Sequence, residues 1–152
     1  MSVYQIVKNG DAILREKAKE ITVITGNVIK LLDNLRDTLA DADNGVGLAA
    51  PQIGISKQVI VIDTGEEYLE LINPVIISGE GSEVDTEGCL SVPGLIGDVA
   101  RYKKVQVNGL DREGQPVSYT REGFLARVLQ HEIDHLEGTL FIDKAENLRP
   151  IK

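Results

Sequence analysis

The feature that most constrains this chain is the spacing of its only two histidines. His131 and His135 lie four positions apart, and Glu132 follows the first of them. The pattern over residues 121–137 predicts a helix, and residues four apart lie one turn apart on the same helix face. Both imidazoles can therefore bind one metal ion. Glu132 points to an adjacent position, where it can exchange protons with a metal-bound water.

The alternative is an exposed polar helix on which this spacing has no chemical meaning. The histidines instead continue an apolar face that begins with Phe124 and Val128. Unpaired imidazoles would be costly on a buried face, so this position favours a metal site over chance.

Two histidines leave a catalytic metal short of one ligand, since such a site usually has three protein ligands and one open position. No histidine follows, and the downstream candidates are Glu137, Asp143 and Glu146. Cys89, the only cysteine, lies in a polar, glycine-containing segment. A lone cysteine can be a buried apolar residue or a nucleophile. Because the predicted helix supplies only two of the three ligands, the Cys89 thiolate is the stronger candidate for the third. A thiolate and two imidazoles suit zinc and ferrous iron equally.

A third segment, residues 45–52, consists mostly of small residues and ends at Gln52. It lacks the lysine of a phosphate-binding loop, and it can be read as a tight packing turn after a helix. Its functional interpretation is the close approach of a peptide backbone, with Gln52 donating a hydrogen bond to a developing oxyanion.

The remaining patterns predict the order of helices and strands. Helices are expected over residues 12–20, capped by Asp11, and over residues 27–42, and strands over residues 58–63, 68–77 with a bend at 73–74, 99–110, 115–119 and 139–143. Helices at both ends with strands between them indicate an α+β fold. We expect one domain, residues 1–152, in which mixed or antiparallel strands pack around a central C-terminal helix that carries the metal-binding histidines.

The formal net charge of −8 argues against nucleic acid or a membrane surface as a partner. No apolar run is long enough to span a bilayer, and the first residues do not resemble a secretory signal or a transit peptide. We therefore expect a cytoplasmic protein.

The three segments together resemble the signature motifs of the peptide deformylase family, in the family's order and approximate spacing. They are residues 45–52, 87–91 and 130–138. The resemblance implies a cytoplasmic, bacterial-type enzyme that removes the formyl group from N-formylmethionine on nascent polypeptides and releases formate.

The resemblance also implies a role for each matching residue. Cys89, His131 and His135 become the metal ligands, with ferrous iron as the physiological ion, nickel or cobalt as active substitutes and zinc as a poor one. Glu132 becomes the general base and then the acid that protonates the leaving amine. The oxyanion is stabilised by the side-chain amide of Gln52 and the backbone N–H of Leu90. The substrate contacts are Val46, Gly47, Gly88, Phe124 and Val128.

Two departures from the family pattern concern the substrate chain and the ribosome. Ile96 occupies a position where some members have an arginine that contacts the substrate backbone. The segment after Gly138 is short, so the long C-terminal helix that helps some members dock on the ribosome is short or absent. Contact with the ribosome is then expected to be transient, through the emerging peptide.

Three other functions remain open from the sequence. A general metallopeptidase would cleave unformylated peptides. A non-catalytic metal- or peptide-binding module would not need Glu132, and a structural zinc site usually has four protein ligands. A hydrolase with Cys89 as nucleophile and a histidine base would keep its activity when metal is chelated.

Overall fold

A computed structural model of the protein describes residues 2–151, which form two antiparallel sheets and two α-helices. The helices are α1 (Gly26–Asp41) and α2 (Phe124–Leu136), and short 3₁₀ helices lie at Ala12–Arg15, Ala50–Ile53 and Phe141–Asp143. The strands are β1 (Gly47–Ala49), β2 (Val59–Asp63), β3 (Tyr68–Glu80), β4 (Glu83–Cys89), β5 (Val92–Arg101), β6 (Lys104–Leu110), β7 (Pro116–Glu122) and β8 (Glu146–Pro150). The predicted α+β class is confirmed, and the strands pair antiparallel throughout the described sheets.

The larger sheet has the order β1-β2-β3-β6-β7 and is covered by one helix on each face. Ile60 and Ile62 of β2 pack with the buried side of α2, whereas Val59 and Val61 pack with the buried side of α1. Successive side chains of a strand point to opposite faces, so a strand between two helices is apolar at every position. This explains why β2 is an uninterrupted run of valine and isoleucine.

The smaller sheet has the order β4-β5-β8 and its own apolar cluster. Leu14, Val92, Val99, Leu140 and Phe141 form that cluster, beside Cys89. The cluster fixes the end of β4, and therefore the position of the cysteine, relative to the rest of the molecule.

Several predicted elements agree with the structure. The helix expected over residues 27–42 is α1, the strand expected over 58–63 is β2, and the bend expected in β3 lies at Asn73, which has a φ of 52°. The side chain of Asn73 accepts a hydrogen bond from the N–H of Ile21 (2.9 Å) and donates one to its carbonyl (2.8 Å). The irregular backbone is thereby stabilised by a distant part of the chain.

The helix predicted over residues 12–20 is wrong beyond its first turn. Asp11 caps that turn as expected, with its carboxylate accepting from the N–H of Ile13, but the 3₁₀ helix ends at Arg15. Downstream, the N–H of Ala18 donates to the carbonyl of Leu136 instead of to its own segment. Hydrogen bonds to neighbouring elements have replaced those of a helix.

Four further boundaries differ from the sequence prediction. The strand expected over residues 99–110 is divided between β5 and β6, and the helix expected from residue 121 begins at Phe124 because residues 121–122 complete β7. The strand expected over residues 139–143 is instead a 3₁₀ turn with Phe141 buried, and the loop expected over residues 45–52 contains β1 and a 3₁₀ helix. Within residues 2–151, the segment after Gly138 forms this turn and β8 and no long helix. None of the helices in this range is long and apolar enough to cross a bilayer.

Candidate metal centre

Three side chains with metal-binding atoms converge between α2 and the end of β4. The donor atoms of Cys89, His131 and His135 all lie within 4.8 Å of one another. Cys89 Sγ and His135 Nε2 are 3.4 Å apart. A sulfur and a nitrogen bound to one tetrahedral ion, at about 2.3 and 2.1 Å, lie about 3.6 Å apart. The separation in the structure therefore fits a shared metal ion, and the donor set fits a transition metal.

The environment of each imidazole determines which nitrogen is free to bind. His131 Nδ1 lies 2.9 Å from the Glu87 carboxylate, which leaves Nε2 for a metal. A carboxylate behind a ligating imidazole is a common way of orienting its ring. Burial lowers the pKa of His135 well below its ordinary value, so this ring is neutral and can donate a lone pair.

His131 and Glu87 influence each other's protonation. Burial opposes charge on Glu87, but hydrogen bonds from Arg101 and His131 outweigh it and hold the pKa of Glu87 at about 2. Burial likewise opposes charge on His131, but hydrogen bonds with Cys89 and Glu87 raise its pKa to about 10 in the protein without metal. Binding of an ion through His131 is therefore coupled to loss of a proton.

Glu132 is buried beside these donors. Its side chain is 3 % exposed, and Oε1 has no hydrogen-bond partner within residues 2–151. Burial raises the pKa of Glu132 to about 7. A carboxyl group that changes protonation near neutral pH can act as both base and acid in one reaction.

The Gln52 side chain is held with its amide directed towards Cys89. Its Oε1 accepts from the N–H of Ala49 (2.9 Å), and its Nε2 donates to the Ser91 hydroxyl (3.1 Å) and lies 3.7 Å from Cys89 Sγ. Gln52 and Ser91 are both buried. A donor that is already fixed beside a reacting centre costs no reorganisation when charge develops there.

A cavity of about 450 Å³ opens onto this group of side chains. Of the residues predicted to form the site, those that line the cavity are Val46, Gly47, Gln52, Gly88, Cys89, Leu90, Phe124, Val128, His131 and Glu132. His135 lies behind them, almost fully buried. Phe124 is 58 % exposed, which places it at the rim, whereas Val128 is buried. The structure thus brings all of the predicted site residues to one place.

Comparison with known proteins gives the same family over nearly the whole chain. The family described as polypeptide deformylase matches residues 3–150. The chain belongs to the peptide deformylase family. It is 60% identical over 151 residues to a peptide deformylase of Pelotomaculum thermopropionicum, covering 99% of this chain and 97% of that protein. It is 62% identical over 146 residues to one of Desulfitobacterium hafniense, covering 96% of this chain and 97% of that protein.

Solved structures of peptide deformylases have the same fold. One from Legionella pneumophila superimposes with a TM-score of 0.92 at 44% identity, covering 96% of this chain and 88% of that one. One from Synechococcus elongatus, in complex with actinonin, gives a TM-score of 0.90 at 43% identity, covering 95% and 79%. The chain is therefore an enzyme of a metal-dependent family that acts on formylated nascent peptides, and it contains a candidate metal site.

A network of buried charges behind the site was missed by the sequence reasoning. Glu87 accepts hydrogen bonds from Arg101 and Arg127, and Arg101 also donates to Asp134. The available signal was the presence of Arg127 within the apolar stripe of a predicted helix, since a buried arginine requires a carboxylate. The sequence did not indicate which carboxylate, because the pairing depends on how β4, β5 and α2 pack.

Ile151 is a second residue that the sequence reasoning missed. It also lines the cavity, and its N–H donates to the carbonyl of Gly94 (2.9 Å). Ile151 thus continues the pairing of β8 with β5 and reaches the cavity of this peptide deformylase.

Proposed function

We propose that this chain, as a single catalytic domain spanning residues 1–152, removes the formyl group from N-formylmethionine on nascent polypeptides and releases formate. The supporting observation is the convergence of three metal-binding donors with an unpartnered, buried carboxylate. Cys89, His131 and Glu132 line one cavity beside the fixed amide of Gln52, with His135 directly behind them. A structural metal site would have no use for such a carboxylate.

In this proposal Cys89, His131 and His135 hold one divalent ion, which is ferrous iron in the cell. Zinc, nickel or cobalt can occupy the same donors in a purified sample. When bound, the ion supplies a Lewis acid that brings the acidity of water into the physiological range.

Glu132 moves the protons of the reaction. It accepts a proton from the attacking water and later passes it to the amine that leaves when the formyl C–N bond breaks. Its raised pKa, near 7, makes both transfers accessible at neutral pH.

Gln52 and the backbone N–H of Leu90 stabilise the negative charge that develops on the formyl oxygen. The Gln52 amide is already held by Ala49 and Ser91, so it does not need to be ordered during the reaction.

The apolar part of the cavity accommodates the methionine side chain of the substrate. Val46, Gly47, Gly88, Phe124 and Val128 form this part, with Val128 buried and Phe124 at the rim. Small residues at positions 47 and 88 allow the substrate backbone to approach closely.

The partner is the formylated end of a chain emerging from the ribosome, met in the cytoplasm. The formal net charge of −8 disfavours direct binding to nucleic acid or to a membrane, so contact with the ribosome is transient. Ile96 lies opposite Arg149 in the pairing of β5 with β8 and brings no charge of its own to the substrate. Recognition beyond the methionine then depends on shape and backbone contacts.

The decisive experiment combines metal analysis with a formate-release assay on anaerobically purified protein. With formyl-Met-Ala-Ser we expect formate release in proportion to bound metal, and no cleavage of the same peptide without the formyl group. Cleavage of the unformylated peptide would instead establish a general metallopeptidase. Full activity after metal removal by a chelator would establish Cys89 as a nucleophile.

A further inference from the structure

The three candidate ligands come from two elements that belong to different parts of the fold. Helix α2, which carries both histidines, packs most closely against β1, β2 and β7 of the larger sheet. Cys89 ends β4, which belongs to the smaller sheet. The separation between the cysteine and the histidines therefore depends on the groups that join the smaller sheet to α2.

The guanidinium of Arg101 is one such group, and it bonds to both elements at once. Its Nε and Nη2 donate to the carboxylate of Glu87 on β4 (2.6 and 2.9 Å), and its Nη1 donates to Asp134 on α2 (2.8 Å). Glu87 is two residues before Cys89, and Asp134 directly precedes His135. The side chains of Arg101 and Glu87 are 2 % and 5 % exposed, so solvent does not compete for the bonds between them.

The same carboxylate also determines the orientation of an imidazole. Glu87 Oε1 receives Arg101 Nη2 and faces His131 Nδ1, while Oε2 receives Arg101 Nε and Arg127 Nη1. Since both oxygens are fully engaged, Glu87 cannot rotate without breaking an ion pair. Arg101 thus acts on all three ligands: on Cys89 through β4, on His131 through Glu87, and on His135 through Asp134.

Arg127 also links α2 to the smaller sheet, but it bonds to different groups. It is on α2, and besides Glu87 it donates to the backbone carbonyls of Glu83 and Val99. Those bonds hold the helix to β4 and β5 without contacting Asp134. Removal of Arg101 therefore leaves the two elements attached but releases the link beside His135 and half of the support for Glu87.

We propose that Arg101 is a positioning residue that holds the cysteine-bearing strand and the histidine-bearing helix at the separation that one metal ion requires. This inference rests on the proposed metal centre. It predicts that the rate at which the site releases the ion depends on a residue that does not contact the ion.

The test compares Arg101→Met with Arg121→Met. Arg121 forms a similar two-bond pair with Glu67, remote from the candidate ligands, and serves as the matched control. Co²⁺ is the probe ion, and the readouts are its release rate into excess chelator and its thiolate-to-metal charge-transfer band. We expect Arg101→Met to release Co²⁺ at least about tenfold faster and to shift or weaken the band, as loss of a group that orients ligands does. Arg121→Met should match the wild-type protein, and Arg101→Lys, which keeps the charge but not the fork of donors, should be intermediate.

If Arg101→Met does not fold, Asp134→Asn is the test. The Asp134 side chain is partly exposed, and asparagine is nearly isosteric with aspartate, so this variant should fold. It should release Co²⁺ several-fold faster than the Arg121→Met control. If the tested variant, Arg101→Met or in its place Asp134→Asn, has the same Co²⁺ release rate and charge-transfer band as Arg121→Met, the role of Arg101 is overturned. The proposed metal centre would not be affected by that result. Failure of the wild-type protein to bind Co²⁺ would overturn the proposed function itself.

Discussion

The backbone of Gly47 lies directly against the carboxylate of Glu132. A methyl group at position 47 would lie 2.6 Å from Glu132 Oε2 and 2.9 Å from its Cγ, closer than real side-chain contacts allow. Gly47 is in β1, whose pairing with β2 fixes its position, so a larger residue could be accommodated only by movement of the glutamate. Gly47 was predicted as a substrate contact, and in the structure its backbone also packs against the Glu132 side chain.

Gly47→Ala should therefore displace the Glu132 carboxylate without affecting the candidate metal ligands. We expect kcat/KM for formyl-Met-Ala-Ser to fall by roughly a hundredfold, the usual effect of moving a reacting group by about 1 Å, with metal content unchanged. Gly26→Ala is the control, because a methyl group there meets no atom within 4 Å. Equal activities of the two variants would show that Glu132 need not be held in place.

Glu132→Gln should separate metal binding from catalysis. The amide keeps the shape of the side chain but cannot accept the proton of the attacking water, so kcat should fall by about 10²- to 10⁴-fold. Since Cys89, His131 and His135 are unchanged, the variant should keep one metal ion per chain, measured by elemental analysis. A variant that retains wild-type kcat would assign the reaction to another base.

Gln52→Ala and Ser91→Ala should differ in the size of their effects. Loss of the Gln52 amide removes the proposed oxyanion donor, a group worth about 3 kcal/mol, so kcat should fall by two to three decades. Loss of the Ser91 hydroxyl leaves that donor in place but less firmly held, at a cost of about 1 kcal/mol, or roughly fivefold in kcat. The comparison requires kcat and KM for each variant, and a larger loss for Ser91→Ala than for Gln52→Ala would contradict the assignment.

The acid stability of the metal-free protein should depend on Glu87. Its pKa is about 2 in the folded protein and 4.5 as the reference value, so its stabilising contribution is complete above pH 4.5 and declines progressively as the pH falls from 4.5 to 2. A difference of this size corresponds to a contribution on the order of 3 kcal/mol. Urea denaturation from pH 6 to pH 3 should show a flatter loss of stability for Glu87→Gln than for the wild-type protein. Parallel curves would mean that the Arg101 pair does not hold the carboxylate ionised.

The parts of the site that the sequence could predict are those that depend on local spacing. His131, Glu132 and His135 lie within one helical turn, so their relation follows from helix geometry alone. Cys89 was added because the helix lacked a ligand and because residues 87–91 resemble a family motif. In contrast, the partners of Glu87 lie on β5 and α2, and no local rule gives the register that brings them together.

The fold was predictable where an element has a strong pattern of its own. Helix α1 and strand β2 have clear periodicities and were placed within one residue at each end. Residues 12–20 and 139–143 have weak patterns, and there the backbone follows contacts with distant elements. Phe141, for example, enters the apolar cluster of the smaller sheet and takes its segment out of the predicted strand.

The turn after α2 provides a test of how tightly the helix end is packed. Gly138 has a φ of +78°, and a methyl group on it would lie 2.6 Å from the carbonyl oxygen of Arg15. Gly65 has a similar φ of +88° but open space around it, so it isolates the backbone strain from the contact. Gly65→Ala should cost about 1 kcal/mol, the usual penalty for a left-handed residue with a side chain.

Gly138→Ala should cost at least twice as much, about 2 kcal/mol or more, because the 12–15 turn must also move away. This corresponds to a decrease in Tm of about 4–8 °C for a chain of this size. Measurement on metal-free protein removes any contribution from metal binding by the neighbouring His135. Equal decreases in Tm for the two variants would mean that the Arg15 carbonyl moves away from position 138 at no cost. The 12–15 turn would then not fix the end of α2.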